Sequence, residues 1–121
     1  MNPTSITTIF VLYLFNMVRA NDLSGSYTRC VYDLIPLTRI DLTDSQVTFH
    51  FDGDKVYGPY SYRMSSGMVA PNIPFSDPIF TAYAYALTPG AFYGIPVDSQ
   101  GRLMVSPLRQ FRGTTQFYCK Q

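Results

Sequence analysis

The chain has 121 residues, 46% of them hydrophobic, and a formal net charge of +1. This length suffices for one compact domain but not for two. Nine basic and eight acidic residues nearly balance, so the net charge gives no argument for nucleic-acid binding, and two cysteines with one histidine cannot complete a closed zinc site.

The first residues have the features of a secretory leader. Ile6–Leu14 is apolar over the length of a signal-peptide core, and Val18–Ala20 places small residues where a signal peptidase cleaves. Polar and charged residues follow too early for a membrane anchor, which needs about 20 apolar residues. We therefore expect a signal peptide over residues 1–20 and a secreted mature domain over residues 21–121, without a membrane anchor.

The start of the mature chain carries the first of the two cysteines. Ser26–Tyr32 predicts a first strand that contains Cys30, and Cys119 lies near the end of the chain. In a short secreted chain, two cysteines favour one disulfide over two unpaired thiols. Closure of so long a loop contributes about 4 to 5 kcal/mol to stability by the chain-entropy estimate.

The next segment gives two conflicting patterns. The spacing of Leu37, Ile40, Val47 and Phe51 suits one face of a helix. Over Val47–Phe51, apolar and polar residues alternate, which favours a strand. We predict a helix from about Leu37 to about Gln46, and whether residues 47–51 are helix or strand stays open.

Turn residues divide the middle of the chain. Asp52–Lys55 predicts a turn, and the aromatic segment Val56–Arg63 that follows predicts an edge strand. Ser65–Asp77 contains proline and glycine with little periodicity and predicts a surface loop. Pro78–Leu87 alternates in part and predicts a central strand.

The last third of the chain predicts a β-hairpin and a final strand. Phe92–Val97 and Arg102–Ser106 are the two arms, and Asp98–Gly101 is the turn between them. The glycine that ends this turn supplies a positive φ, and the aspartate that begins it accepts hydrogen bonds from the turn amides. Gln116–Cys119 is the final strand.

The same third carries a resemblance to a known family. The Thr88–Ala91 step, the hairpin and the Phe-x-Cys ending at Cys119 resemble the fungal guanyl-specific extracellular ribonucleases. This resemblance implies an α+β fold in which one helix packs on a twisted antiparallel β-sheet. It also implies that a disulfide joins the chain ends, with Cys30 and Cys119 as the pair.

The catalytic groups of that family are missing at the matching positions. The family uses a glutamate, an arginine and two histidines for acid-base chemistry and phosphate stabilisation, whereas this chain has no glutamate and only one histidine, His50. The residues at the matching positions are Tyr60 or Arg63 for the first histidine, Thr81 for the glutamate, Tyr93 for the arginine and Arg109 for the second histidine. The resemblance therefore implies a pseudoenzyme without cofactor or metal. The alternative is an active ribonuclease with a rearranged site, in which Asp77 or His50 takes part.

A second resemblance, to a more specific group of proteins, rests on the leader and the two cysteines together. With an aromatic-to-cysteine step at Tyr27–Cys30 and a second cysteine near the end, the chain is similar to the ribonuclease-like secreted effectors of powdery mildew fungi, although this step is one residue longer than is usual there. The resemblance implies a monomer delivered into host plant cells that binds host RNA or host protein. It also implies that a plant immune receptor detects some members.

Aromatic residues interleaved with arginines provide the contact residues for such a ligand. Bases stack on exposed aromatic rings and phosphates bind arginine, so the candidate contacts are Tyr60, Tyr62, Arg63, Tyr93, Arg109, Phe111 and Arg112. Tyrosine and arginine are also typical of protein interfaces, and a host-protein binder would use the loops Ser65–Asp77 and Leu108–Thr115. The sequence leaves RNA and protein open as the main partner.

Overall fold

The computed structural model of the protein describes residues 23–30, 35–107 and 115–121. Along these ranges lie eight strands and two short helices: β1 (Gly25–Arg29), β2 (Leu37–Leu42), β3 (Gln46–Phe51), β4 (Lys55–Ser65), β5 (Met68–Pro71), α1 (Pro78–Ala82), α2 (Gly90–Tyr93), β6 (Ile95–Pro96), β7 (Leu103–Val105) and β8 (Gln116–Lys120). Neither described helix is long and apolar enough to cross a membrane. The predicted signal peptide lies outside the described residues.

All the strands belong to one sheet, in the order β6-β5-β4-β3-β2-β1-β8-β7. Every described pairing is antiparallel, and β1 pairs with both β2 and β8. A bridge between Val97 and Leu103 brings the ends of the sheet together beside β6 and β7. The sheet is therefore an up-and-down meander that nearly closes into a barrel.

The side chains of β3 show how the sheet divides into an inner and an outer face. Val47, Phe49 and Phe51 are buried, whereas Thr48 and His50 between them are only half-buried. This alternation is the period of a strand with one face on the core. The apolar residues of β3 therefore point inward, and His50 lies on the outer face of the sheet.

The connection from β5 to β6 supplies the two helices that fill the core against β3. Tyr83, just after α1, stacks on Phe51 with ring centroids 3.7 Å apart and an interplanar angle of 12°. Phe92 of α2 meets Phe49 edge-on, with centroids 5.4 Å apart. Aromatic pairs in these arrangements contribute about 0.5 to 1.5 kcal/mol each beyond their burial. The short helices thus cover the inner face of the sheet.

An irregularity in β4 decides which of its side chains face inward. Tyr57 pairs with Phe49 and Tyr60 pairs with Val47, so both tyrosines share the inner face although they are three residues apart. The extra residue is accommodated at Gly58, which has a φ of 115° and where a Cβ atom would lie 2.9 Å from the carbonyl oxygen of Val47. Only glycine fits there. Beyond this bulge Tyr62 is buried and Arg63 is exposed.

The predicted fold, one helix packed on a twisted antiparallel sheet, is wrong. The predicted helix from Leu37 to Gln46 is instead β2 and the turn into β3, and residues 47–51 are strand. The register of β2 against β3 shifts between Leu37 and Arg39. Because this irregularity adds a residue, Leu37 and Ile40 are both buried although they are three residues apart, which is also the spacing of a helix face.

Two other segments also differ from their predicted structure. The predicted surface loop Ser65–Asp77 contains β5, and the predicted strand Pro78–Leu87 begins with α1. Asp77 accepts a hydrogen bond from the amide of Ile79 as the N-cap of α1, and a proline follows it at the start of the helix. An Asp-Pro pair is a helix-start signal, which outweighs the partial alternation beyond it.

The aromatic strand and the hairpin are correct only in part. Val56–Arg63 is a strand, but β4 lies between β3 and β5 and not at the edge of the sheet. The first two residues of the predicted arm Phe92–Val97 belong to α2, and only the end of the arm approaches β7. A two-residue β6 leaves this side of the barrel with little hydrogen-bonded pairing.

The turn Asp98–Gly101 and the terminal disulfide are confirmed. Gly101 has a φ of 77°, and the Asp98 carboxylate accepts hydrogen bonds from the amides of Gln100 at 2.9 Å and Arg102 at 2.8 Å. Cys30 and Cys119 form a disulfide with their Cα atoms 5.5 Å apart. It links β8 to the residue after β1, where the two strands pair.

We expect loss of this disulfide to lower the free energy of unfolding by about 4 to 5 kcal/mol, because the bridge closes a long loop in the unfolded chain. The bonded cysteines are separated by 89 residues. Urea unfolding of the oxidised wild type should be compared with a double variant, Cys30→Ala with Cys119→Ala. A difference below about 1 kcal/mol would show that chain-entropy reduction is not how the bridge stabilises the fold.

Candidate functional site

A groove of about 570 Å³ lies at the end of the β4–β5 ladder. Its lining residues are Ser61, Tyr62, Arg63, Ala70, Pro71, Asn72 and Tyr93. The amide of Asn72 donates to the carbonyl oxygen of Ser61 at 2.8 Å, which extends the ladder one step past β5. The volume falls in the range of small-ligand sites, about 300 to 1,000 Å³.

Three of the predicted contact residues meet in this groove. Tyr62 and Arg63 come from β4, and Tyr93 comes from the end of α2. Tyr93 is far from the other two along the chain, so the return of the chain after α1 is what brings the residues together. The sequence predicted the residue types, and the fold supplies their proximity.

The other predicted positions lie elsewhere. Tyr60 is on β4 but outside the groove lining, and Thr81 is exposed on α1. The remaining predicted contacts, Arg109, Phe111 and Arg112, lie outside the described residues. The groove therefore contains three of the predicted residues, whereas Tyr60 and Thr81 lie outside its lining.

Arg63 gives the groove a positive charge that no described acidic residue pairs with. The ion pairs between described residues join Arg39 and His50 to Asp41, and Arg102 to Asp98. Within that part of the chain Arg63 takes part in none of them, and its side chain is exposed. An exposed guanidinium binds phosphate and carboxylate groups through paired hydrogen bonds.

The two tyrosines that line the groove are held by hydrogen bonds to the backbone. The hydroxyl of Tyr62 donates to the carbonyl oxygen of Thr43 at 2.7 Å, and that of Tyr93 donates to Ile73 at 2.9 Å. Burial and then the charge of Asp44 raise the pKa of Tyr62, so its phenol stays neutral at physiological pH. Both rings are thus fixed in position.

An exposed aromatic side chain adjoins the groove through Tyr93. Phe75 is 86% exposed, and its ring centroid lies 5.6 Å from that of Tyr93 at an interplanar angle of 60°. Phe80 lies near the Tyr93 ring as well, with centroids 5.3 Å apart. Sequence reasoning did not single out Phe75. The available signal was an aromatic residue between turn-forming residues, Pro74 before it and Ser76 after it.

Asp77 holds the turn beside Phe75 together. Its Oδ1 atom accepts hydrogen bonds from the hydroxyl of Tyr60 at 2.9 Å and from the amide of Ile79 at 3.0 Å. Burial, and then the hydrogen bond and charge of Asp77, raise the pKa of Tyr60. The carboxylate that sequence reasoning considered as a replacement base is therefore engaged as a helix cap.

A polar cluster on the outer face of the sheet contains the histidine. This outer-face cluster consists of Ser26, Arg39, Asp41 and His50, which adjoin one another across β1, β2 and β3. The Nε2 atom of His50 lies 2.7 Å from Oδ2 of Asp41, and Ser26 donates to the other carboxylate oxygen. Arg39 reaches the same carboxylate at 3.1 Å.

The order of these groups does not activate a nucleophile. In a Ser-His-Asp triad the histidine lies between the serine and the aspartate and takes the serine proton. Here Asp41 lies between Ser26 and His50. Burial raises the pKa of Asp41, but the hydrogen bonds from Ser26 and His50 and the charge of Arg39 outweigh it and hold the pKa below its usual value of 3.8.

Neither a protein-family model, nor a curated protein, nor a solved structure matches the chain. No three histidine, cysteine or acidic side chains in residues 23–30, 35–107 and 115–121 are placed to hold a metal ion.

We expect Asp77→Ala to destabilise the protein by about 1 to 3 kcal/mol, because it removes both a helix cap and the acceptor of Tyr60. Asp77→Asn keeps an acceptor oxygen at that position and should cost less than about 1 kcal/mol. Urea unfolding measures both variants. The loss in Asp77→Ala should shrink when Tyr60→Phe is already present, and full additivity of the two changes would contradict the contact.

Asp41 should contribute to the acid sensitivity of the fold. Because its folded-state pKa is lowered, its contribution is present above about pH 3.8 and is lost as the pH falls through the folded-state pKa. Asp41→Asn should therefore flatten the fall in unfolding free energy at acid pH. Asp54→Asn, at an exposed turn position with a φ of 60° that asparagine also tolerates, is the control. Identical acid profiles for wild type and Asp41→Asn would contradict this assignment.

Proposed function

We propose that this chain is a secreted binding protein without catalytic activity, and that its ligand is single-stranded host RNA bound in the groove. The observation that carries the proposal is the meeting of Tyr62, Arg63 and Tyr93 in one groove of nucleotide size. The half-exposed ring of Tyr93 and the exposed guanidinium of Arg63 are groups that single-stranded RNA uses.

The chemistry of the groove suits an unpaired nucleotide. Each base stacked on an aromatic side chain contributes about 1 to 3 kcal/mol, and Arg63 supplies the charge for one phosphate. Ser61 and Asn72 add polar side chains that donate to or accept from a base edge. A base that is paired in a duplex does not offer its face, so the ligand is single-stranded.

Secretion and a host target are part of the proposal. The leader-like residues 1–20 and the Cys30–Cys119 disulfide both fit an oxidising, extracellular route. Similarity to secreted effectors of powdery mildew fungi adds delivery into plant cells and detection by a plant immune receptor. Because the expected ribonuclease fold is wrong, only the leader and the two cysteines support this similarity. The positions matched to the catalytic groups of the ribonucleases give it no support.

An active ribonuclease with a rearranged site is the weaker candidate. It would need Asp77 and His50 to act on one substrate. Asp77 binds the hydroxyl of Tyr60, whose ring lies near the inward-facing Phe49, with centroids 6.2 Å apart. His50 lies on the outer face of the same strand as Phe49. The base and the acid would therefore be on opposite sides of the sheet, beyond the hydrogen-bond reach that proton transfer requires.

We expect the oxidised mature chain to retain single-stranded RNA without cleaving it, and to lose affinity as salt rises. A labelled single-stranded oligonucleotide should be followed for retention and cleavage over one salt series. Arg63→Ala should weaken binding and reduce the slope of log affinity against log salt by about 0.7, the value for one phosphate contact with a single strand. Arg39→Ala removes the same charge from the outer-face cluster and serves as the control.

Each other outcome overturns the proposal in a distinct way. Cleavage that His50→Ala or Asp77→Ala abolishes would establish a nuclease. Failure to retain RNA at low salt, together with salt-insensitive binding of a host protein, would replace RNA by a protein partner. Equal effects of Arg63→Ala and Arg39→Ala would place the RNA outside the groove.

A further inference from the structure

Phe75 is the large apolar side chain with the greatest exposure among the described residues. It is 86% exposed, whereas Tyr85 is 56% and Val56 is 53% exposed. Single exposed apolar residues are common, so exposure alone assigns no role. The position of Phe75 beside the groove and the way its turn is held make it different from the other two.

The turn that carries Phe75 is tied at both ends. The amide of Asp77 donates to the carbonyl oxygen of Pro74 at 3.0 Å, which closes a β-turn with Phe75 at its second position. The Asp77 side chain in turn binds Tyr60 and the start of α1. The backbone around Phe75 is therefore ordered before a ligand binds, so binding costs little further conformational entropy there.

The ring of Phe75 lies next to the groove but not parallel to its wall. Its edge-on contact with Tyr93 leaves a face open to solvent, since the side chain is almost wholly exposed. The same Tyr93 lines the groove with Arg63. A ligand that occupies the groove and continues past Tyr93 thus meets an open aromatic face.

We propose that Phe75 stacks on a second base, so that the site takes two consecutive nucleotides of one RNA strand. One base occupies the groove on the half-exposed ring of Tyr93, its phosphate binds Arg63, and the next base lies on the Phe75 ring. This inference rests on the proposed function. The angle of 60° between the Phe75 and Tyr93 rings means that the two bases are splayed apart and not stacked on each other, which is the usual state of bases read in single-stranded RNA.

Stacking on Phe75 depends on a ring and not only on apolar area. Fluorescence anisotropy with a labelled single-stranded RNA octamer should give weaker binding for Phe75→Leu and Phe75→Ala, by about 5- to 150-fold. Phe75→Tyr keeps the ring and should bind within about twofold of wild type. The salt slope should stay unchanged in all three variants, because none of them alters a charge.

Tyr85→Leu is the matched control, since it removes an exposed ring that lies outside the groove lining and whose described ring contact is with Tyr83. Unfolding midpoints are compared first, and the high exposure of Phe75 predicts that its variants fold as wild type does. If Phe75→Leu binds as well as wild type, the stacking role is overturned while RNA binding stands. If wild type itself does not bind the octamer, the proposed function fails first.

Discussion

The pairing of β1 with β8 is the constraint on which the rest of the structure depends. The two strands come from opposite ends of the described chain, and their ladder is covalently secured by the Cys30–Cys119 bond. Once they are joined, each remaining strand pairs with its neighbour in sequence and the sheet curves toward closure. Two buried tyrosines reinforce this side: Tyr27 donates to the carbonyl oxygen of Leu23 at 2.7 Å, and Tyr118 donates to that of Leu37 at 2.6 Å. Burial of these hydroxyls is tolerated because each has an acceptor.

The opposite side of the barrel is closed by packing more than by hydrogen bonds. The strand β6 has two residues, and a bridge between Val97 and Leu103 is what links it to β7. The segment from Asn72 to Tyr93 compensates by placing aromatic rings against the inner face of β3 and β4. The groove forms here because the β4–β5 ladder ends while the chain turns inward. The proposed binding site thus lies where regular pairing stops, which is common for sites placed on loops held by a rigid sheet.

Structure that depends on neighbouring residues was predictable from the sequence, whereas contacts between segments far apart in the chain were not. The turn at Asp98–Gly101 and the final strand depend on neighbouring residues, so their patterns were sufficient. The spacing of Leu37 and Ile40 was misleading because a register irregularity in a strand and a helix face place apolar residues at the same interval. Asp77 was considered for its acid-base chemistry, although the proline after it indicated a helix cap. Three of the predicted contact residues line one groove, yet nothing local relates Arg63 to Tyr93, and the exposure of Phe75 depends on how the chain folds around it.

Three of the seven residues that line the groove, and the adjoining Phe75, have exposed side chains. Ser61, Arg63, Asn72 and Phe75 are exposed, whereas the core is made by the inward residues of the strands and by the buried residues that follow α1. Replacing these exposed residues therefore leaves the closure of the barrel and its disulfide untouched. With this division, the proposed contact surface can change through single substitutions while the protein keeps its stability. Substitutions that alter the groove are therefore separable from substitutions that alter the closure of the barrel.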